Sequence, residues 1–378
     1  MVDLVFLNSA NFKDKKLLEE VRGGNFTHIL LSPELAVSKV FRTIATDPIF
    51  YDKVGLIVVD EAHLVAKWGK GFRTDYARLH QLRAIFGKKV PWFACSATLD
   101  DPTLNIVIRD LGMPTGVTIQ RNSINRPELV YQIAFIPNKA GSSALRFLFD
   151  VNENSPVLPQ KEVPKTVVFF DTKKEAIAAR DCCRQWLRYN FQPERGTPRQ
   201  YTEKEAKATI QIYNRNTPDE DKEAILREFA DPDSPLRALF STEALALGID
   251  LPTIVRAIQF RIVRNQEIAT LLQRWGRASR HGQLGFAVLL LDEWMKGVQK
   301  KPAVIRRHQA EESIELNPVA EESEDEDIDG EGESVGQKKT HRLTNSERRS
   351  KLPEIWYRMA NPADDPHCIR KLILDHFN

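Results

Sequence analysis

Seven stretches of the chain are nearly continuous in hydrophobic residues: THILLS (27–32), VGLIVV (54–59), VPWFACS (90–96), KTVVFF (165–170), LRALFS (236–241), IVRAIQF (254–260) and GFAVLLL (285–291). A strand with one solvated face alternates apolar and polar positions, whereas a strand buried on both faces need not. These runs therefore predict parallel strands. Longer stretches of mixed polar and apolar sequence lie between them, and the alternation of the two kinds of segment predicts an α/β fold. TPDEDKEAILREF (217–229) is the clearest helix, with Thr217 as the cap, Pro218 in the first turn and Glu220 completing a capping box.

A break in the pattern falls near 119–165, where NRPELVY and NENSPVLPQKEVP concentrate Pro, Asn and Ser. Strands before and after it are expected to form two separate sheets. Residues 311–333 hold 12 acids and no Lys or Arg, cannot bury enough surface to fold, and are expected to be disordered. Hydrophobic residues return in LPEIWYRMANPADDPHCIRKLILDHFN, which reads as the opening of another folded unit. No internal repeat is evident.

Composition changes this picture in four ways. Of 378 residues, 42% are apolar, enough for two domains with sizeable cores. No apolar run approaches the roughly 18 residues of a membrane span, and the start MVDLVFLNSANFKDKK has no secretory pattern. The four cysteines, Cys95, Cys182, Cys183 and Cys368, are not spaced as a disulfide framework and fit a reducing compartment. The net charge of +2 hides an asymmetry: without the acidic run, 54 bases face 40 acids, a net of +14. A basic body of this kind suits a polyanionic partner.

Candidate chemistry begins where the run 54–59 ends in Asp60-Glu61-Ala62-His63. The carboxyl edge of a parallel sheet is where ligands bind in open α/β folds. Nucleotide hydrolysis needs one carboxylate near Mg²⁺ and another group to position or deprotonate water. Asp60 suits the metal and Glu61 the water. Solvated charges at a strand end would explain this pair alone. The neighbours decide otherwise: Ser96-Ala97-Thr98 follows 33 residues after His63, again directly after a strand, and STEALALGIDLP (241–252) and QRWGRASRHG (273–282) come later in the same order.

Order and spacing resemble motifs II, III, V and VI of superfamily 2 helicases. KWGKGFRTDY, directly after the Asp-Glu-Ala-His box, resembles the aromatic-rich loop of RecQ-type DNA helicases, and SINRPELVY (123–131) resembles that family's segment joining the two motor domains. The resemblance spans about residues 5–295 and continues faintly at 355–378. It implies two RecA-like parallel-sheet domains in tandem. The first, incomplete at its N-terminus, is 1–118 and the second 119–300; an acidic linker, 301–350, and the start of a zinc-type subdomain, 351–378, follow.

The same resemblance implies an ATP-dependent DNA helicase of 3′-to-5′ polarity, acting in DNA recombination and repair, with ATP and Mg²⁺ as cofactors and single-stranded DNA and duplex junctions as partners. Asp60, Glu61, His63, Gln273, Arg277 and Arg280 would be catalytic. Ser96, Thr98, Gly248 and Asp250 would couple nucleotide state to the domain interface and to nucleic acid. Trp68, Phe72 and Arg73 would sense single-stranded DNA, which suits the sequence-tolerant stacking of bases on aromatic rings and Arg.

The sequence departs from the family in places. Ser279 stands where RecQ-type proteins usually show Gly, GIDLP follows the general superfamily form, and 191–218 replaces a Tyr-His-Ala-Gly stretch. No Gly-x-x-x-x-Gly-Lys-Ser/Thr loop is present, and LVFLNSANF resembles the family segment that follows that loop. Residues 1–378 are therefore expected to hydrolyse ATP poorly. Cys368 alone cannot build a tetrahedral zinc site, so no zinc is expected. A nuclear location rests on the resemblance and on the basic clusters KKPAVIRR and KKTHRLTNSERRSK. The reading from another class is a non-catalytic nucleic-acid-binding or scaffold protein derived from such a motor; coding sequence upstream of Met1 would separate the two.

Overall fold

The structure, a computed structural model, describes residues 2–68, 75–137, 140–149, 160–189, 201–242, 245, 251, 253–263, 267–280, 282–297, 344–362 and 368–377. Its strands are β1 (Leu4–Leu7), β2 (His28–Leu31), β3 (Ile57–Val59), β4 (Trp92–Ala94), β5 (Leu129–Ile136), β6 (Thr166–Phe169), β7 (Ile210–Tyr213), β8 (Ala238–Ser241), β9 (Arg256–Phe260) and β10 (Gly285–Asp292). Every pairing among the described strands is parallel.

The second half is built on a six-stranded sheet in the order β5-β10-β9-β6-β8-β7. Successive side chains of a strand point to opposite faces. Val167, Phe169, Leu239, Ala257 and Leu289 thus enter one apolar layer. Val168, Phe170, Phe240, Ile258 and Leu290 enter the other. Helices cover both layers. Lys173–Tyr189 packs Ala176, Ala179, Cys183 and Leu187 on one side. Asp219–Ala230 and Ile268–Trp275 bring Phe229, Leu271 and Trp275 to the other.

Helices Glu354–Ala360 and Ile369–Phe377 join that second layer through Trp356, Met359, Leu372, Ile373 and Phe377. The two described helices of 351–378, a stretch read from sequence as the opening of another unit, thus share an apolar core with the second sheet. Trp356 is fully buried there.

The first half differs. Its strands form two separate two-stranded sheets, β1-β2 and β3-β4, rather than the single sheet expected. Among the described residues no strand bridges the two pairs. Val5, Leu7 and Val59 face a core with Phe41, Ile44, Val65, Leu82 and Phe86. The opposite sides of the strands are open: Leu4, Phe6, Leu30, Val58 and Phe93 are all exposed.

One helix start differs from expectation. Pro218, with ψ 147°, is the cap of Asp219–Ala230 and offers no side-chain bond. Thr217 Oγ1 instead accepts from the Asn214 amide at 3.2 Å, closing the preceding turn. Capping boxes form at Thr202–Glu205 and Thr344–Glu347. All four cysteines are free thiols. Among the described residues no helix is long and apolar enough to cross a membrane.

Candidate functional site

β3 delivers Asp60 and Glu61 at its carboxyl end, the edge where a parallel sheet presents its ligands. Two bonds fix the exit of the chain: the Cys95 amide donates to Val59 O at 3.0 Å, and the Ala62 amide donates to Cys95 O at 2.9 Å. Asp60 Oδ1 accepts the Glu61 amide at 2.8 Å and faces the Cys95 thiol at 3.3 Å. Burial, helped by Asp60, pushes that thiol up to about 11, so it stays protonated as a donor. Glu61 adopts φ 49°, a left-handed conformation that costs energy in a residue with a side chain and that clusters at functional sites.

His63 opens the helix His63–Trp68 and is buried. Its Nδ1 lies 2.9 Å from Ser96 Oγ and 3.3 Å from Glu61 Oε2. Ser96 Oγ in turn accepts from the Thr98 amide at 3.3 Å. The contact from the other half of the molecule is Gln273, on Ile268–Trp275. Its Nε2 donates to His63 Nε2 at 3.1 Å and to Thr98 Oγ1 at 3.4 Å. With Nε2 accepting, a neutral His63 carries its proton on Nδ1, towards Ser96 and Glu61. Residues 210 positions apart thereby meet across the two domains.

The Gln273 helix is held from beneath. Arg274, fully buried, donates to Asp171 Oδ1 at 2.7 Å and Gln259 Oε1 at 2.6 Å. Arg277 is buried and Arg280 half-buried in the turn that follows. That turn passes through Ser279 at φ 57°, the conformation that makes glycine the ordinary residue there. Its room comes from Gly285, where a Cβ would stand 2.7 Å from Ser279 Cβ.

Trp68 is the last residue of its helix; Phe72, Arg73, Gly248 and Asp250 lie outside the described residues. The structure thus brings Asp60, Glu61, His63, Ser96, Thr98 and Gln273 together. Sequence reasoning missed Cys95, Arg274 and Arg126. Cys95 directly precedes Ser96 at the strand end, which is the signal that could have found it. Arg126 lies in the segment SINRPELVY and donates to the carbonyls of Ala278 and Ser279 at 3.3 and 2.8 Å. Only the fold reveals that contact.

Asp60 is exposed, and among the described residues no three His, Cys, Asp or Glu side chains form a metal cage. A divalent ion held here would take Asp60 as its protein ligand and complete its shell with phosphate and water, the usual Mg²⁺ arrangement. The donor set fits.

The family model for DEAD/DEAH box helicases matches residues 5–106, and that for the helicase conserved C-terminal domain matches 152–282. The fold is that of Dbp5 of S. cerevisiae, solved bound to RNA and ADP BeF3, with a TM-score of 0.54 at 16% identity over 77% of this chain and 64% of that one. These findings show tandem RecA-like domains of the kind found in superfamily 2 helicases. The probable ATP-dependent DNA helicase RecS of Bacillus subtilis is 25% identical over 96% of this chain and 69% of its own length. The ATP-dependent DNA helicase Q-like 5 of Arabidopsis thaliana is 25% identical over 73% of this chain, which spans 26% of that protein. The chain is thus similar to RecQ-type DNA helicases along most of its length.

Proposed function

We propose that the chain carries the hydrolysis and coupling machinery of an ATP-dependent DNA helicase working 3′ to 5′. One observation carries the reading: Gln273, four residues before Arg277, bridges to His63 and Thr98 of the other domain. A hydrogen-bond set that spans two domains exists only while they are together, so closure and the state of the Asp-Glu-Ala-His box change as one.

In this reading Asp60 holds Mg²⁺, which neutralises phosphate charge when bound, and Glu61 orients and deprotonates the attacking water. His63, Ser96, Thr98 and Gln273 report whether the domains are closed. Arg277 and Arg280 stabilise charge developing on the γ-phosphate. Trp68, Phe72 and Arg73 stack on single-stranded DNA, and Gly248 and Asp250 link nucleotide to nucleic acid. Single strands and duplex junctions are the expected DNA partners, recombination and repair the expected setting, and the nucleus the expected location; the basic body and the relatives' printed names support a DNA partner, and the basic clusters alone support the location.

A second reading, from another class, is a nucleic-acid-binding or scaffold protein without turnover. Phosphate release with Mg²⁺ and single-stranded DNA, from wild type and Glu61→Gln at full natural length, separates them. DNA-stimulated release lost in Glu61→Gln supports the motor. DNA binding without any such release supports the second reading.

A further inference from the structure

The turn that carries Arg277 and Arg280 is gripped from outside its own domain sheet. Arg126, on the segment joining the domains, points one arm of its guanidinium at two successive carbonyls, Ser279 O at 2.8 Å and Ala278 O at 3.3 Å. Its Nε is paired with Glu128. A planar guanidinium held on one edge by a carboxylate has its other edge fixed in direction. The peptide planes on either side of Ser279 are thus set by Arg126, in the stretch where the backbone is forced to positive φ.

Arg126 is itself gripped. Arg370, on the C-terminal helix Ile369–Phe377, donates from Nη1 to Arg126 O at 2.6 Å and to Asn125 Oδ1 at 2.7 Å, and from Nη2 to Leu129 O at 2.5 Å. Its guanidinium also lies 5.0 Å from the ring centre of Tyr131, which packs at 5.4 Å on Trp275 at the base of the same turn. At the far end of the C-terminal helix, Phe377 O accepts from Arg121 at 3.0 Å, and Arg121 pairs with Asp101 of the first domain. Asp101 begins the helix that follows Thr98.

We propose that Arg126 and Arg370 are positioning residues that clamp the arginine-bearing turn, so that the C-terminal helix holds Arg277 and Arg280 where nucleotide needs them. This rests on the motor reading for its catalytic consequence, but not for the clamp itself. Neither residue touches nucleotide in this account. Arg126 acts through the carbonyls beside Ser279, and Arg370 through Arg126. Lysine cannot replace either, because one ammonium lacks the fork that serves several fixed acceptors at once.

Amide hydrogen exchange on the full chain tests the clamp. Arg126→Ala and Arg370→Ala should raise exchange across 277–285 about tenfold or more, with the smaller rise in Arg370→Ala, while strands β6 and β9 keep their protection. Arg126→Lys, which spares charge and bulk, should restore thermal stability but not protection of the turn. ATP turnover at full natural length, with Mg²⁺ and saturating single-stranded DNA, should fall about tenfold in kcat with KM for ATP within about twofold. Unchanged exchange at 277–285 in both alanine variants overturns the clamp. Loosened exchange in an enzyme whose kcat is unaltered overturns the positioning of Arg277 and Arg280 by the clamp. Wild type that turns over no ATP removes the motor reading and leaves the exchange data to decide the clamp.

Discussion

The two halves share an architecture of parallel strands and helices but use their sheets differently. In the second, β6, β8, β9 and β10 bury both faces, and alternate residues of one strand feed separate apolar layers. In the first, each strand buries one face only, and Leu4, Phe6, Leu30, Val58 and Phe93 are about half exposed on the other. Parallel sheets ordinarily have both faces covered. The composition of β1 to β4 is that of doubly covered strands, so their sequence is written for a covering that the described residues do not supply. The second half is a finished core; the first is a core on one side.

The largest expected effect breaks that comparison if it fails. Phe240→Ala removes a fully buried ring from between Phe170 and the rest of its layer and should cost about 3–5 kcal/mol. Phe93→Ala, on the open face of β4, should change stability by no more than about 0.5 kcal/mol. Urea unfolding of the chain, followed by signals that report each half separately, checks both. Equal costs would mean that the open face is covered in solution.

The same contrast explains what could be read from the sequence. Continuous apolar runs located seven strands, and the three missed were β1, β5 and β7. β5 and β7 are the two edges of the six-stranded sheet, and β1 is one strand of a two-stranded pair. An edge strand keeps polar positions: LVYQIAFI and IQIY interleave Gln with apolar residues, so a search for unbroken runs passes over them. Asp60 and Glu61 could be picked out from a strand that ends in a carboxylate pair, whereas His63, Ser96, Thr98 and Gln273 entered only through the resemblance to helicase motifs. That Gln273 reaches His63 was not legible in the sequence and is shown only by the fold. Arg126 and Arg274 act through partners more than 100 residues away, and no local pattern announces such contacts. Thr217 illustrates the opposite error, a correct local signature whose hydroxyl the preceding turn takes first.

A middle-sized effect sharpens the comparison inside the finished half. Gly285→Ala would set a methyl 2.7 Å from Ser279 Cβ and 3.3 Å from both Leu129 Cδ2 and Val255 O. In a core filled on both faces there is little room to yield, so the cost should be about 1–3 kcal/mol. Ser279→Gly removes the nearest of those atoms and relaxes the positive φ, so the double variant should recover part of the loss. Strict additivity of the two changes in a thermal or urea titration would show that the contact does not decide the cost.

The smallest effect concerns charge under the finished core. Lys165 is buried just before β6; its ammonium donates to Leu236 O at 2.6 Å and sits 5.2 Å from the Phe229 ring centre. Burial, with Arg237 nearby, brings its pKa down from 10.5 to about 8. A base whose pKa is lower folded than unfolded binds fewer protons in the native state between those two values. Folding is then disfavoured while the group is charged in both states, and stability is gained as pH rises from about 8 towards 10.5. Cys95 and Cys183 work the other way: burial raises both thiols, so their unfolded forms ionise first and stability falls above about 9. The single-site contribution is therefore read as a difference. The urea midpoint of wild type relative to Lys165→Met should climb between about pH 8 and pH 9, because methionine keeps the stem's packing and has no proton to lose. A difference that stays flat, or falls, over that window would mean that Lys165 remains fully charged in the fold and that its bond to Leu236 O outweighs the burial.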